Sequence, residues 1–483
     1  MTSTLHSQAA ASHFIEMNKK SGPTHIDGEA LARFVLHSAL LWLIDPVRGE
    51  ATRSIPDENP DGNLLSARYL KQKFLDSFAL ICSTSRSGAN TATAVCLETY
   101  ERGGNILRVA RNKGLKPEDK AILEQVLRVL QEVARKEKRS SLAESDIMQL
   151  VVELDRDRIV SCAERVQKRG LRSFLQNAQP RMNEGRVSSN QFRLWLENCP
   201  FTGSPPQDWG KENLAMLIHW AAQARWHHAE QLETLLALEE SRNNAWLNCL
   251  HKIARYYSAI KSMVKVAVKE SEIFVNISIH EIAAPNPRLF KFPHDEAPLF
   301  TIIRKLVGQD AHSTMEQLKE RLGMEDVEAR LHRACRLKLT LHAEMQLVVF
   351  YEGNPEHAPR LRFIGTSKKA CFLCNKYLSQ HSLNLQVSAC HQKIYPSWMP
   401  PPYYKTPGRS WSINFMKLGD AIETLTAREL KTSLSAPRRL GNYDSTAGTS
   451  LTMSATVPTE LRSLQVTQGG FTGENDDYSE DSD

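Results

Sequence analysis

The hydrophobic pattern divides this chain into two regimes. From Asp27 to about Glu270, apolar residues recur at helical spacing almost throughout. Ala30 to Ile44, Glu118 to Lys138, Glu144 to Lys168 and Lys211 to Val268 each predict helices. Loops between them carry the breakers Pro46, Pro56-Asp57, Pro60-Asp61-Gly62, Gly103-Gly104 and Pro205-Pro206. No regular repeat runs through the stretch, which argues against a solenoid. Near Ile273 the period changes: Ile273, Val275, Ile277 and Ile279 alternate with Phe274, Asn276, Ser278 and His280, as in a strand. Phe300 to Val307 and Met315 to Leu322 return to helical spacing.

A tighter succession follows. Cys335, Leu337, Leu339 and Leu341 alternate with Arg336, Lys338 and Thr340, a strand with one buried face that runs directly into His342. Ala343 to Tyr351 suits a helix, stopped by Gly353 and Pro355. Leu361 and Phe363 alternate with Arg360 and Arg362 and predict a second strand ending at Gly365. A short helix then carries Cys371, Cys374 and Leu378, and Leu383 to Ala389 predicts a third strand. Met416 to Lys431 closes the series as a helix. The expected architecture is α+β: an all-helical domain over 27–270, then a strand-and-helix domain over 271–432 with its motif core at 335–398. Residues 1–26 are expected to be a flexible N-terminus. Residues 433–483, rich in Ser and Thr and then acidic, are too poor in apolar side chains to fold and predict a disordered tail.

Composition narrows the class. With 483 residues, 41% hydrophobic and 24% charged, the chain reads as a soluble globular protein of more than one domain. Its strongest apolar run, Phe34 to Ile44, is interrupted by His37 and Ser38 and is too short to span a bilayer. No signal-peptide core is evident at the N-terminus. Nine scattered cysteines argue against a disulfide framework. The expected location is therefore intracellular, cytosol or nucleus, with no membrane partner. Net charge is +6, and Glu474 to Asp483 alone holds six acids. The remainder is basic enough to tolerate anionic partners without identifying one.

Candidate chemistry concentrates in one place. H-x-E occurs three times, at His228-Ala229-Glu230, His294-Asp295-Glu296 and His342-Ala343-Glu344, and 16 histidines would supply about one such triplet by chance. C-x-x-C occurs once, at Cys371 and Cys374, where random placement of nine cysteines gives roughly 0.2. Of the triplets, only the one at His342 lies a few dozen residues upstream of that pair. Cysteines at i and i+3 share one side of a helical turn. At a helix N-terminus, exposed N–H groups and the dipole favour the metal-binding thiolate. His342 and Glu344 would point about 200° apart inside a regular helix. They can share a pocket only if His342 stands at the helix mouth, where the strand hands over.

Other conspicuous residues have structural explanations. Trp220, Trp226, His227 and His228 fit core and half-exposed helix faces. Arg135, Lys136, Lys138 and Arg139 fit the solvated end of a helix. Trp398, with Tyr403 and Tyr404, offers aromatic surface for stacking a base, or a packed cover held extended by Pro400-Pro401-Pro402. Lys368 and Lys369 adjoin the motif and are candidate substrate contacts.

From Leu337 to Trp398, about an eighth of the chain, the sequence resembles the zinc-dependent nucleic acid/nucleotide deaminase superfamily. More closely, it resembles the fungal members of the Orientia-prototype deaminase family. The likeness rests on Leu341-His342-Ala343-Glu344-Met345-Gln346-Leu347, on Ile364 through Cys374, and on Cys390-His391-Gln392-Lys393-Ile394-Tyr395-Pro396-Ser397-Trp398. The resemblance implies a cytidine-deaminase-like α/β/α sandwich around a mixed sheet, with zinc at the mouths of two helices. It implies His342, Cys371 and Cys374 as ligands, the fourth position left to water, and Glu344 as the proton carrier. The implied substrate is an amino-bearing nucleobase, free or within nucleic acid. The usual signature has Pro immediately before the first Cys; here that position is Ala370.

Rival readings use the same residues. Cys371, Cys374, Cys390 and His391 form C-x2-C-x15-C-H, so Cys390 or His391 would close a four-ligand structural cage. The chain would then be a zinc-stabilised scaffold whose helical region binds a protein partner. A redox C-x-x-C and two merely buried thiols are the remaining alternatives. Glu344 discriminates, because a structural cage has no use for it.

Overall fold

A computed structural model describes residues 22–53, 66–86, 89–100, 104–183, 190–202, 204–237, 245–292, 298–404 and 411–434. Its main sheet is built around two strands, β1 (Thr93–Tyr100) and β2 (Gly104–Arg111), that lie inside the stretch expected to be all helical. That expectation is corrected here, and the reason is burial on both sides. Val95, Leu97, Leu107 and Val109 face one apolar core, while Ala94, Cys96 and Ala110 face the other. A strand covered by helices on both faces lacks the polar–apolar alternation that reveals a half-buried one.

Three further strands complete the sheet: β3 (Ile277–Ile282), β4 (Phe363–Thr366) and β5 (Gln386–Val387), in spatial order β3-β2-β1-β4-β5. β1 pairs antiparallel with β2, from Thr93 opposite Arg111 to Tyr100 opposite Gly104. It also pairs antiparallel with β4. β3 runs parallel to β2, and β5 parallel to β4, so the sheet is mixed as expected. The alternation at 335–341 yields only the short strand Leu337–Leu339, which pairs with Arg288–Phe290 outside this sheet.

Helices cover both faces. Helix α1 (Gly28–Ile44) lies with the second core, and α2 (Ala67–Ile81) lies on the first face against β1 and β4. Behind α2 stands α3 (Ala245–Lys269), ringed by the other helices of the 117–237 region. The second face carries α4 (Ala343–Gly353), then α5 (Phe372–Leu378) and α6 (Trp411–Thr432). The result is an α/β/α sandwich. Its layers do not follow the division at residue 270: α1 packs on α6, and β3 pairs with β2. Most of the helical region is chain inserted between β2 and His342.

Two contacts fix the end of β4 that leads to the cysteines. Gly365 lies so close to α2 that a Cβ there would sit 2.2 Å from the Leu75 carbonyl carbon. The next residue, Thr366, donates its N–H to Asp76 Oδ1 at 2.9 Å. On the other face, buried Glu98 accepts Arg108 Nε at 2.8 Å and Nη2 at 3.0 Å. It also accepts the hydroxyls of Tyr100 at 2.7 Å and Tyr351 at 3.1 Å. Tyr351 is on α4, so this charge-assisted network ties the C-terminal half of the His helix to the central hairpin.

The expected flexible N-terminus through residue 21, the acidic tail beyond 434 and the triplet His294-Asp295-Glu296 lie outside the described residues. Among the described residues no helix is long and apolar enough to cross a membrane. All nine cysteines are free and buried.

Candidate metal centre

His342 is the N-cap residue of α4, with extended backbone at φ −63° and ψ 151°. It therefore stands at the helix mouth, as the sequence requires for His342 and Glu344 to share a pocket. A Ser or Asp at this position would turn its side chain onto the helix N–H groups. The His342 side chain makes no cap. Its Nδ1 lies instead 3.6 Å from Cys371 Sγ and 3.4 Å from Cys374 Sγ. The cap comes from Asn112, whose Oδ1 accepts the Ala343 N–H at 2.9 Å. Gln346 donates to the Leu341 carbonyl at 3.0 Å and steadies the junction from the other side.

Cys371 is the N-cap of α5, and its sulfur accepts the Cys374 N–H at 3.3 Å. The Trp398 indole N–H donates to Cys374 Sγ at 3.2 Å. The loop before Cys371 is stitched to the 389–393 segment. Ala370 N–H donates to Ala389 O at 2.9 Å, His391 N–H to Ala370 O at 3.0 Å, and Phe372 N–H to Lys393 O at 2.9 Å. The first of these bonds accounts for the departure at Ala370: a proline has no N–H to donate there.

The donor set fits zinc. The imidazole nitrogen and both sulfurs all lie within 4.8 Å of one another. Tetrahedral zinc with bonds of about 2.05 Å to nitrogen and 2.3 Å to sulfur separates those atoms by about 3.6 Å. The observed nitrogen–sulfur distances of 3.6 and 3.4 Å match that spacing. Among the described residues this is the one group of three or more His, Cys, Asp or Glu side chains so converged.

Electrostatics prepare one sulfur as an anion. Burial opposes ionisation of Cys371, but contacts from Cys374 and the His342 imidazole outweigh it and hold the thiol well below its usual range. Burial and the neighbouring Cys371 thiolate push Cys374 well up. At His342 burial works against the cation, yet the Cys371 sulfur wins and the pKa is raised. Glu344, the second residue of α4 and 9% exposed, is raised chiefly by burial.

The two proposed alternative ligands do not join the cluster. Cys390 Sγ accepts the Gln392 N–H at 3.4 Å, and burial pushes its thiol up to about 12. His391 Nδ1 accepts the Lys393 N–H at 3.0 Å. Burial first, then Lys393, His342 and the lysines at 369 and 368, pull this imidazole down to about 3. A neutral ring whose Nδ1 accepts carries its proton on Nε2, so Nε2 has no lone pair for a metal.

Other expectations divide. Lys368 is half-buried and Lys369 buried, both close enough to depress His391. Trp398 as a substrate contact is corrected. Its ring is fully buried, with Phe34 at 5.6 Å and Tyr377 at 6.2 Å, and its N–H is given to Cys374. In the first triplet His228 packs on Phe192 and Trp195 in an aromatic cluster. Lys138 pairs with Glu132 and Asp146, which fits a solvated helix end. Sequence reasoning missed Asn112. Asn112 follows directly on β2, and an unread strand left its end unmarked.

Residues 341–402 match the family model described as OTT_1508_deam:-like deaminase. No curated protein and no solved structure matches the chain. The matched stretch begins one residue before His342 and includes Glu344, Cys371, Cys374 and Trp398. Residues 341–402 are thus similar to a deaminase family, consistent with a deaminase superfamily, and they hold a His/Cys/Cys cluster compatible with zinc.

Proposed function

We propose that this chain is a zinc-dependent hydrolytic deaminase acting on an amino-bearing nucleobase, free or within a nucleoside, nucleotide or strand. The observation that carries the reading is the convergence of His342, Cys371 and Cys374 beside a buried carboxylate, in a segment that matches a deaminase family. Three protein ligands leave a fourth position, the arrangement of catalytic rather than structural zinc. Zinc held there would supply a Lewis acid that brings the pKa of water to about 7.

The chain's own residues do the rest. Asn112 and Gln346 hold the helix mouth, where Glu344 lies close enough to His342 for their charges to interact. Glu344 takes a proton from the attacking water and passes it to the departing amine. A carbon–oxygen bond forms, the carbon–nitrogen bond breaks, and ammonia leaves. The enclosure of Glu344 keeps bulk water from competing for that proton.

Ammonia-release and mass-shift screening over bases, nucleosides, nucleotides and single-stranded oligonucleotides tests the proposal. Glu344→Ala should keep its zinc and lose about 10²–10⁴-fold in rate. Zinc-loaded wild-type protein that releases no ammonia from any of these would leave the scaffold reading in its place.

A further inference from the structure

We infer that the helical region carries a surface for the phosphate backbone of a nucleic acid strand, laid out on Arg165, Lys168, Arg169 and Arg172. This goes beyond the deaminase reading and stands apart from it, since binding needs no turnover. Residues 165–193 hold seven Lys and Arg against one acid, Glu184. Lys168, Arg169 and Arg172 are exposed, and Arg165 is half-buried. Elsewhere on the surface, helix cations are paired: Lys138 with Glu132 and Asp146, Lys211 with Glu153, Lys319 with Glu316. Among the described residues, the four cations of this row pair with no carboxylate. Arg165 bonds Ser161 on its own helix, Nε to the carbonyl at 3.1 Å and Nη2 to Oγ at 3.3 Å. The adjacent Glu164 accepts Gln207 Nε2 at 2.7 Å instead.

The backbone gathers these charges. Helix Arg156–Val166 passes through a wide turn, Gln167–Leu171, into helix Arg172–Asn183. Gly170 takes φ 107° there, which glycine adopts without a clash. Burial and then Cys162 raise the Cys249 thiol, while Lys252, Arg165 and Arg169 work against that rise, so cations from α3 and from the kinked helix share one neighbourhood. A helix dipole accounts for a cation in a last turn, such as Arg165, but opposes one at a helix start, where Arg172 stands. Leu171 and Phe174, interleaved with the cations, are buried. The row therefore offers charge without the apolar face that a membrane surface needs. The same helix also reaches the support of the metal centre: Arg158 Nη1 donates to Ser83 O at 2.5 Å. Ser83 opens the segment whose Ala89 and Ala92 carbonyls are bonded by Asn112, the cap of the His helix. From Arg158 to Arg172 is about 21 Å of helix. A strand carries a phosphate about every 3.4 Å, so several phosphates can lie along the row.

Fluorescence anisotropy tests the inference on the full zinc-loaded chain, with end-labelled DNA and RNA strands of about 20 nucleotides and with phosphatidylserine vesicles as a second anionic probe. Wild type should bind strands with a log–log salt slope of about −2 to −3. Lys168→Ala/Arg169→Ala/Arg172→Ala should keep its zinc and its circular dichroism. It should bind roughly 10- to 100-fold more weakly at about 0.1 M salt and lose about two units of that slope. Arg169→Lys/Arg172→Lys, which keeps the charge, should stay within a few-fold of wild type. Lys211→Ala/Lys319→Ala, which removes paired cations elsewhere, should bind as wild type does. Wild type that binds no strand, a triple variant that binds as tightly as its parent, or attachment to the vesicles without strand binding overturns the inference. Strand binding that needs the row, in a protein that releases no ammonia, would keep this inference and remove the deaminase reading. Ammonia release from cytidine or adenosine by a protein that binds no strand would do the reverse.

Discussion

Asn112 Oδ1 accepts the backbone N–H of Ala343 at 2.9 Å, across 231 residues of chain. The bond fills a gap that the metal cluster creates. His342 holds the cap position of α4 but turns its side chain to the cysteines, so the first helical N–H needs a partner from elsewhere. Asn112 also donates from Nδ2 to Ala89 O at 2.9 Å and from its backbone to Ala92 O at 3.0 Å. One residue therefore joins the segment leading into β1, the end of β2 and the His helix.

Replacing this cap should loosen the centre. Asn112→Ala is expected to cost about 1 kcal/mol in stability and to weaken zinc binding roughly tenfold. Asn112→Asp keeps the acceptor and should lie nearer wild type. Competition with a chelator measures both; unchanged zinc affinity in Asn112→Ala would show that the cap does not position His342.

Trp398 should act through Cys374. Trp398→Phe keeps an aromatic ring in the pocket and removes the N–H donated to the sulfur at 3.2 Å. Outer hydrogen bonds of this kind are worth roughly 10- to 100-fold in metal affinity. The variant should stay folded by circular dichroism while releasing zinc more readily.

The ligand count is directly measurable. Wild-type protein should carry one zinc per chain, and His342→Ala, Cys371→Ser and Cys374→Ser should each lose it. Cys390→Ser and His391→Gln should retain it, since neither side chain enters the cluster. Metal analysis showing that either of these two abolishes zinc binding would favour a closed cage.

Gly365 has no room for a side chain. A Cβ would meet backbone atoms of Leu75 at 2.2 and 2.4 Å, and backbone cannot swing aside as a flexible side chain can. Gly365→Ala should therefore destabilise by at least about 3 kcal/mol in urea titration. An effect below about 1 kcal/mol would mean that α2 shifts freely on the sheet.

Asp76 sets a pH dependence. Burial, partly offset by the Thr366 N–H, Ser388, Lys73 and Arg255, raises its carboxyl to about 6. The folded state thus holds this proton more tightly than the unfolded chain. The contribution is complete below pH about 4 and is lost as pH rises through about 6, by no more than about 3 kcal/mol. Asp76→Asn keeps an acceptor for Thr366, so it should be more stable than wild type at pH 7.5 and lose that advantage at pH 4. Parallel denaturation curves at the two pH values decide it.

The sequence by itself determined what local geometry governs. His342 falls at a helix start and Gly353 ends that helix as expected, because an alternating run gives way to helical spacing at His342. Cys371 and Cys374 face one way because one turn of helix separates them. Only the tertiary structure decided what depends on distant partners. β1 and β2 were hidden because helices bury both their faces, and with them went Asn112. His391 is removed from the ligand set by a backbone N–H that occupies its Nδ1, and Trp398 becomes a support for Cys374 because other rings enclose it. Residue type and spacing specify which atoms are able to bind a metal or a base; where each lone pair and open face points is settled by neighbours tens to hundreds of residues away.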